Sequence, residues 1–267
     1  MMKTVTIFSE KGGVGKTTLT VLLASYLAYV RRERVCALDF DHPSYQLTKM
    51  REVDETILRN NTANQYLLRS LPKDVAPYPI NRVEGRGAFT REQLAAIVSQ
   101  VRKRREQGDG WMLLDFPGRF LPGDPSYALA LAGLLDLVVL PIDSDRQSIS
   151  SALYLNSILH SDAFKKASGK PGGQEALFLW NREAAAERRS GYDRYAADEE
   201  ALRLVGVPVS KHRVRDIVIA RRDANTFGFI RSTLCFPTTT VMHTAPYLIP
   251  LFEEIIQRAE GTWKDEQ

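Results

Sequence analysis

The chain has 267 residues, 44% of them hydrophobic and 25% charged, the balance of a globular protein long enough to bury a substantial core. Its formal charge of +4 permits an acidic partner such as nucleic acid without requiring one. The two cysteines, Cys36 and Cys235, stand far apart and form no C-x-x-C, which excludes an iron–sulfur or zinc-ribbon reading and fits a reducing, cytosolic setting.

In chain order, Lys3–Phe8 (KTVTIF) reads as a short β-rich run that ends at a glycine loop, SEKGGVGKTT. No cleavable leader is expected, because Glu10 and Lys11 interrupt any apolar run at the start. A helix is predicted from about Lys16 to Arg32; its apolar part, Leu19–Val30, is shorter than the roughly 20 residues a membrane span needs. Arg34–Phe40 (RVCALDF) reads as the next buried strand. The segment from Asp54 to Pro79 is mixed, with Leu58, Tyr66, Leu67 and Leu71 suggesting helix. Thr90 and Gln93 have capping-box spacing at the head of a helical pattern. Gly110–Gly118 is a strand stopped by Pro117, and Leu135–Ile142 and Ala176–Asn181 are two more. Apolar strands alternating with helices predict an α/β fold of three layers, a mostly parallel central sheet flanked by helices, over a single domain 1–267. Ligands of such sheets sit at the carboxyl ends of the strands. The glycine loop, Asp39, Asp41, Asp115, Asp143 and Asn181 all fall there.

The loop departs from the common phosphate-loop pattern at one place. Gly15, Lys16 and Thr17 supply its end, but Glu10 stands where the leading glycine belongs, and Lys11 follows. Gly12, Gly13 and Gly15 allow the backbone amides to turn inward around phosphate oxygens, and the helix beginning near Lys16 adds its positive end. Lys16 would reach the β- and γ-phosphates, and the Thr17 hydroxyl would hold Mg²⁺.

Lys11 through Thr17, KGGVGKT, resembles the deviant motif K-G-G-x-G-K-[ST] of the ParA/MinD family of P-loop ATPases, and Thr18 extends the match. The resemblance implies ATP and Mg²⁺ as cofactors, with Lys11, Gly12, Gly13, Val14, Gly15, Lys16, Thr17 and Thr18 around the nucleotide. It also implies that Lys11 acts in trans, across an ATP-sandwich homodimer, on the partner's nucleotide. ALDFDHPS is similar to the family's second motif. Asp41 then matches the residue that orients the attacking water, and Asp39 the one beside the metal. The sequence departs there, reading D-F-D-H-P where the family usually reads D-x-D-P-Q. MLLDFPG matches D-x-P-[PAG], so the resemblance gives Asp115 a place in the Mg²⁺ shell and Gly118 an amide for the γ-phosphate. Asn181 resembles the asparagine that recognises adenine.

Within the family, the short ParA type fits best. Paired cysteines are absent, and so is a C-terminal tyrosine cluster. The tail LFEEIIQRAEGTWKDEQ is too acidic to serve as a MinD-like membrane anchor. The implied role is a cytoplasmic, nucleoid-associated ATPase that binds DNA non-specifically. It would segregate a plasmid, chromosome or mobile element with a ParB-like partner that stimulates hydrolysis. The alternative is a MinD-like positioning ATPase acting on a protein or membrane-bound cargo without direct DNA binding. Lys211, Arg213, Arg215, Arg221 and Arg222 are the DNA-contacting candidates, through phosphates rather than bases.

Overall fold

A computed structural model describes residues 1–60, 73–85, 88–183, 195–215, 233–236 and 245–264. Among these residues seven strands form one sheet in the order β3-β2-β4-β1-β5-β6-β7: β1 (Lys3–Ile7), β2 (Val35–Asp39), β3 (Ile80–Arg82), β4 (Trp111–Asp115), β5 (Leu137–Ile142), β6 (Ala176–Glu183) and β7 (Val214–Arg215). Every neighbouring pair is parallel, so the expected three-layer α/β architecture holds. The helices are α1 (Lys16–Ser25, continued by a π-helical turn Tyr26–Val30), α2 (Gln46–Asn60), α3 (Arg91–Gln107), α4 (Pro125–Leu131), α5 (Arg146–Leu159), α6 (Asp162–Ser168), α7 (Ala196–Leu204) and α8 (Ala245–Glu260). Among the described residues no helix is long and apolar enough to cross a membrane.

The strands are apolar runs because both faces of the sheet are covered. Successive side chains point to opposite faces. Val5, Ile7, Ala37, Leu113, Val139 and Leu179 therefore join one core with Leu23 and Leu27 of α1 and Phe252 and Ile255 of α8. Leu38, Met112, Leu114, Val138, Leu140 and Phe178 join the other, against Val101, Leu129, Leu155 and Leu159. Each of the Val, Leu, Ile, Met and Phe side chains among them, once fully buried, contributes roughly 1.5–3 kcal/mol. Thr6 is polar yet fully enclosed, and its hydroxyl donates to the Leu114 carbonyl at 2.9 Å.

The capping box at α3 is present. The Thr90 amide donates to Gln93 Oε1 at 2.9 Å, and the Gln93 amide to Thr90 Oγ1 at 3.3 Å. In the mixed region, α2 runs to Asn60; Tyr66, Leu67 and Leu71 lie outside the described residues. β3 and β7 are additions to the sequence reading. Both are short edge strands that lack an apolar run, and they exist because β2 and β6 offer unpaired edges.

Candidate functional site

The carboxyl ends of β1, β2, β4, β5 and β6 converge on the glycine loop. Gly13 (φ 72°) and Gly15 (φ 88°) are left-handed, a conformation that strains any residue with a Cβ. Gly15 is also the N-cap of α1 and has no side chain to occupy the amides of the first turn, so those donors stay open to an anion.

Lys16 and Thr17 stand on the first turn of α1. Lys16 is folded over the loop, its ammonium 3.3 Å from the Lys11 carbonyl. Burial lowers its pKa, and the charges of Asp115 and Asp41 oppose that fall. The Thr17 hydroxyl donates to Asp115 Oδ2 at 2.9 Å. Asp115 is 1% exposed, and its Oδ1 has no hydrogen-bond partner. Burial pushes its carboxyl up to about 7; the Thr17 hydrogen bond works against this, and the charges of Asp39 and Asp41 add to it. An orphaned, buried carboxylate oxygen beside a threonine hydroxyl suits a hydrated Mg²⁺, which takes one or two protein ligands and fills its octahedron with water and phosphate. No three His, Cys, Asp or Glu side chains form a metal cluster among the described residues, so an all-protein cage is not what the site offers.

Asp39 and Asp115 are register partners on neighbouring strands. Asp39 is fully buried and uses both carboxylate oxygens locally. Oδ2 accepts from the Thr48 amide at 2.9 Å and the Thr48 hydroxyl at 2.8 Å, and Oδ1 from the Asp41 amide at 3.2 Å. Its direct partners are thus the start of α2 and the turn that carries Asp41. Thr48 is not singled out by the sequence, because a contact with Asp39 across nine residues has no local signature. Asp41 is half-buried. Burial, then the Asp39 charge, raises its pKa, and Lys16 and Lys49 pull it down. His42, where the family motif is displaced, lies in the turn after Asp41 and packs edge-on to Tyr45 at 5.5 Å.

Gly118 lies against the start of the loop. A Cβ there would stand 2.9 Å from the Ser9 carbonyl oxygen and 3.0 Å from that of Glu10. Asn181 reaches the loop too: its Nδ2 donates to the Val14 carbonyl, and its Oδ1 accepts from the Arg182 amide at 3.0 Å. Lys11 binds Asp143 and Asp145 of its own chain. Asp145 also caps α5 through the Gln147 amide at 2.9 Å, a role its place between strand and helix could have signalled. Lys11 through Thr18, Asp39, Asp41, Asp115, Gly118 and Asn181 therefore gather at one end of the sheet.

Of the basic candidates, Lys211 and Arg213 have described side chains. Arg213 is held by Glu199 at 2.8 Å and Glu183 at 3.5 Å and lies over the Tyr195 ring. Lys211 stands 5.6 Å from the centre of the Trp263 ring. Arg215 ends β7, and Arg221 and Arg222 lie outside the described residues.

Residues 5–115 match the family model of the CobQ/CobB/MinD/ParA nucleotide-binding domain. No curated protein matches the chain. The solved structures that share its fold include these three. The ParA family ATPase from Chlorobium tepidum TLS has a TM-score of 0.59 at 15% identity, over 95% of this chain and 98% of that one. The pNOB8 ParA bound to nonspecific DNA has 0.57 at 16%, over 98% and 100%. The MinD cell division protein of Aquifex aeolicus has 0.56 at 16%, over 99% and 98%.

Proposed function

From the premise that residues 5–115 are a CobQ/CobB/MinD/ParA nucleotide-binding domain within a ParA/MinD fold, we propose that the chain is an ATP-dependent dimerising ATPase of the short ParA type. In this reading it binds DNA non-specifically and releases it on hydrolysis, segregating or positioning a genetic element with a ParB-like partner. The observation that carries the nucleotide reading is the alignment of Lys16, Thr17 and the orphaned Asp115 Oδ1 under a loop whose amides are open.

Each residue then has a task. The loop amides and Lys16 bind and orient the β- and γ-phosphates. Thr17 and Asp115 would hold Mg²⁺, which would spread the phosphate charge. Asp41, half-buried and with a raised pKa, accepts a hydrogen bond from the attacking water and sets it in line. Lys11 supplies a second cation to the transferring phosphoryl group of the opposite subunit, as an arginine finger does.

The second reading, a positioning ATPase for a protein or membrane-bound cargo, is favoured by one observation. Arg213, a chosen DNA contact, is engaged by Glu199 and Glu183. Binding of a random-sequence duplex with ATP, with ADP and without nucleotide separates the two. ATP-dependent binding that weakens steeply with salt is expected; no binding in any state gives the cargo to a protein or membrane. Lys16→Ala, run beside it, should abolish ATP affinity in titration calorimetry. Wild-type affinity in that variant sinks the phosphate-loop reading.

A further inference from the structure

In an unbroken strand, consecutive side chains point to opposite faces. At the end of β6 they do not. Asn181 and Arg182 are adjacent, yet both reach the glycine loop: Asn181 Nδ2 donates to the Val14 carbonyl and Arg182 Nη2 to the Gly13 carbonyl. Two features of the backbone make this possible. The β6–β7 register shifts between Asn181 and Glu183, and Arg182 itself is left-handed at φ 66°. A bulge re-aims a side chain in this way, and bulges recur beside active sites. Glu183, past the bulge, points elsewhere and meets Arg213 at 3.5 Å. A left-handed arginine carries a strain that glycine would not, so the side chain has a use that offsets it.

The consequence follows from the peptide unit. A trans peptide is planar, with its C=O and N–H opposed. Drawing the Gly13 carbonyl outward turns the Val14 N–H inward, and drawing the Val14 carbonyl outward does the same to the Gly15 N–H. Two successive donors then face the place a phosphate would occupy. Gly15 leaves room for the arrangement: a Cβ there would stand 3.1 Å from Asn181 Nδ2.

We propose that Arg182 is a positioning residue of the phosphate loop, acting through the Gly13 carbonyl to orient the Val14 amide toward nucleotide phosphates. This rests on the nucleotide reading above, which assigns Arg182 no role. Arginine suits the task because its fork keeps further donors for the rim of the site while one is bound to the loop.

Arg182→Gly isolates the side chain, since glycine keeps the left-handed backbone without strain. ADP and ATP affinities by titration calorimetry should fall about tenfold, as expected for one charge-assisted hydrogen bond. The thermal midpoint of the nucleotide-free protein should hold or rise. Arg182→Lys, which keeps a cationic donor, should recover part of the affinity. Wild-type ADP affinity in Arg182→Gly overturns the proposal, and so does a loss of affinity matched by an equal loss of nucleotide-free stability. Should the glycine variant not fold, the same two measurements on Arg182→Gln decide the matter. The wild type and Lys16→Ala are measured alongside. A wild type that binds neither nucleotide fails the underlying reading itself. Binding lost in Lys16→Ala but intact in Arg182→Gly fails only the role given to Arg182.

Discussion

Lys11 Nζ stands 2.8 Å from Oδ2 and 3.1 Å from Oδ1 of Asp143 in its own chain. Asp145 adds a third contact at 3.0 Å. The Asp143 hydrogen bond, with the Asp145 contact behind it, raises the lysine pKa against partial desolvation, so Lys11 is charged throughout the physiological range. A lysine that acts on another subunit must first leave both carboxylates. Pairs this exposed are worth about 0.2–1 kcal/mol, a small barrier.

Releasing that hold should favour the dimer. Asp143→Asn should shift ATP-dependent dimerisation to lower protein concentration by about two- to fivefold, the equivalent of up to about 1 kcal/mol. Sedimentation of a dilution series with ATP and Mg²⁺ measures it. A weaker dimer would show that Asp143 supports the assembled state instead.

Lys11 and Asp41 should complement each other between subunits. Lys11→Ala should bind nucleotide through its own Lys16 and Thr17 but lose ATP-driven dimerisation and DNA binding. Asp41→Ala should bind ATP, turn it over slowly and persist as a dimer in gel filtration. Mixing the two builds one site with its own Asp41 and an intact lysine from the other chain, so part of the stimulated hydrolysis should return. No recovery in a demonstrated heterodimer would assign Lys11 a role within its own subunit.

Asp54 should make stability depend on pH. Its carboxylate is fully enclosed, Oδ2 accepts from the Thr233 amide at 3.2 Å and from the Thr233 hydroxyl, and Oδ1 has no partner. Burial pushes the group up to about 7, while the Thr233 hydrogen bonds and Arg51 pull it down. An acid whose folded pKa is raised above the unfolded value near 4 contributes stability that is complete below that value and is lost as pH rises towards 7. Between pH 5 and 8 the wild-type melting temperature should therefore fall relative to Asp54→Asn, by on the order of 5 °C. Parallel melting curves across that range would remove Asp54 as the source.

Arg213 should behave as a structural cation. Its side chain and that of Glu199 are 19% and 11% exposed, and removing one partner leaves the other buried with less compensation. Arg213→Ala should cost roughly 2–3 kcal/mol in urea unfolding. DNA affinity lost without any loss of stability would return Arg213 to the nucleic-acid face.

What was legible in the sequence was local or repetitive. The glycine loop announces itself through Gly13, Gly15, Lys16 and Thr17 in ten residues, and β1, β2, β4, β5 and β6 through apolar runs that only a doubly covered sheet requires. Thr90 and Gln93 signalled their cap by spacing alone. The hidden parts depend on pairing across distance. β3, with the residues Ile-Asn-Arg, is a strand because β2 lies beside it. The Arg182 bulge exists through its register with β7. The Asp54–Thr233 contact joins residues 179 positions apart. Asp39 resembles a metal neighbour by motif; that its Oδ2 also holds Thr48 at the start of α2 and its Oδ1 the Asp41 amide was not legible, because a buried carboxylate takes whichever donors the fold brings near.

The central place of β1 sets an order of events during synthesis. Its neighbours are β4, at Trp111–Asp115, and β5, at Leu137–Ile142. β1 is therefore flanked on both sides only once Ile142 has been made. The contacts of Asn181 and Arg182 with the loop come later still. Until β4 is made, β1 has no paired neighbour, and the apolar face of α1, from Leu19 to Leu27, has no continuous sheet beneath it. At translation speeds of about 5–20 residues per second the loop thus waits several seconds between the synthesis of its own glycines and that of the strands and side chains that hold it.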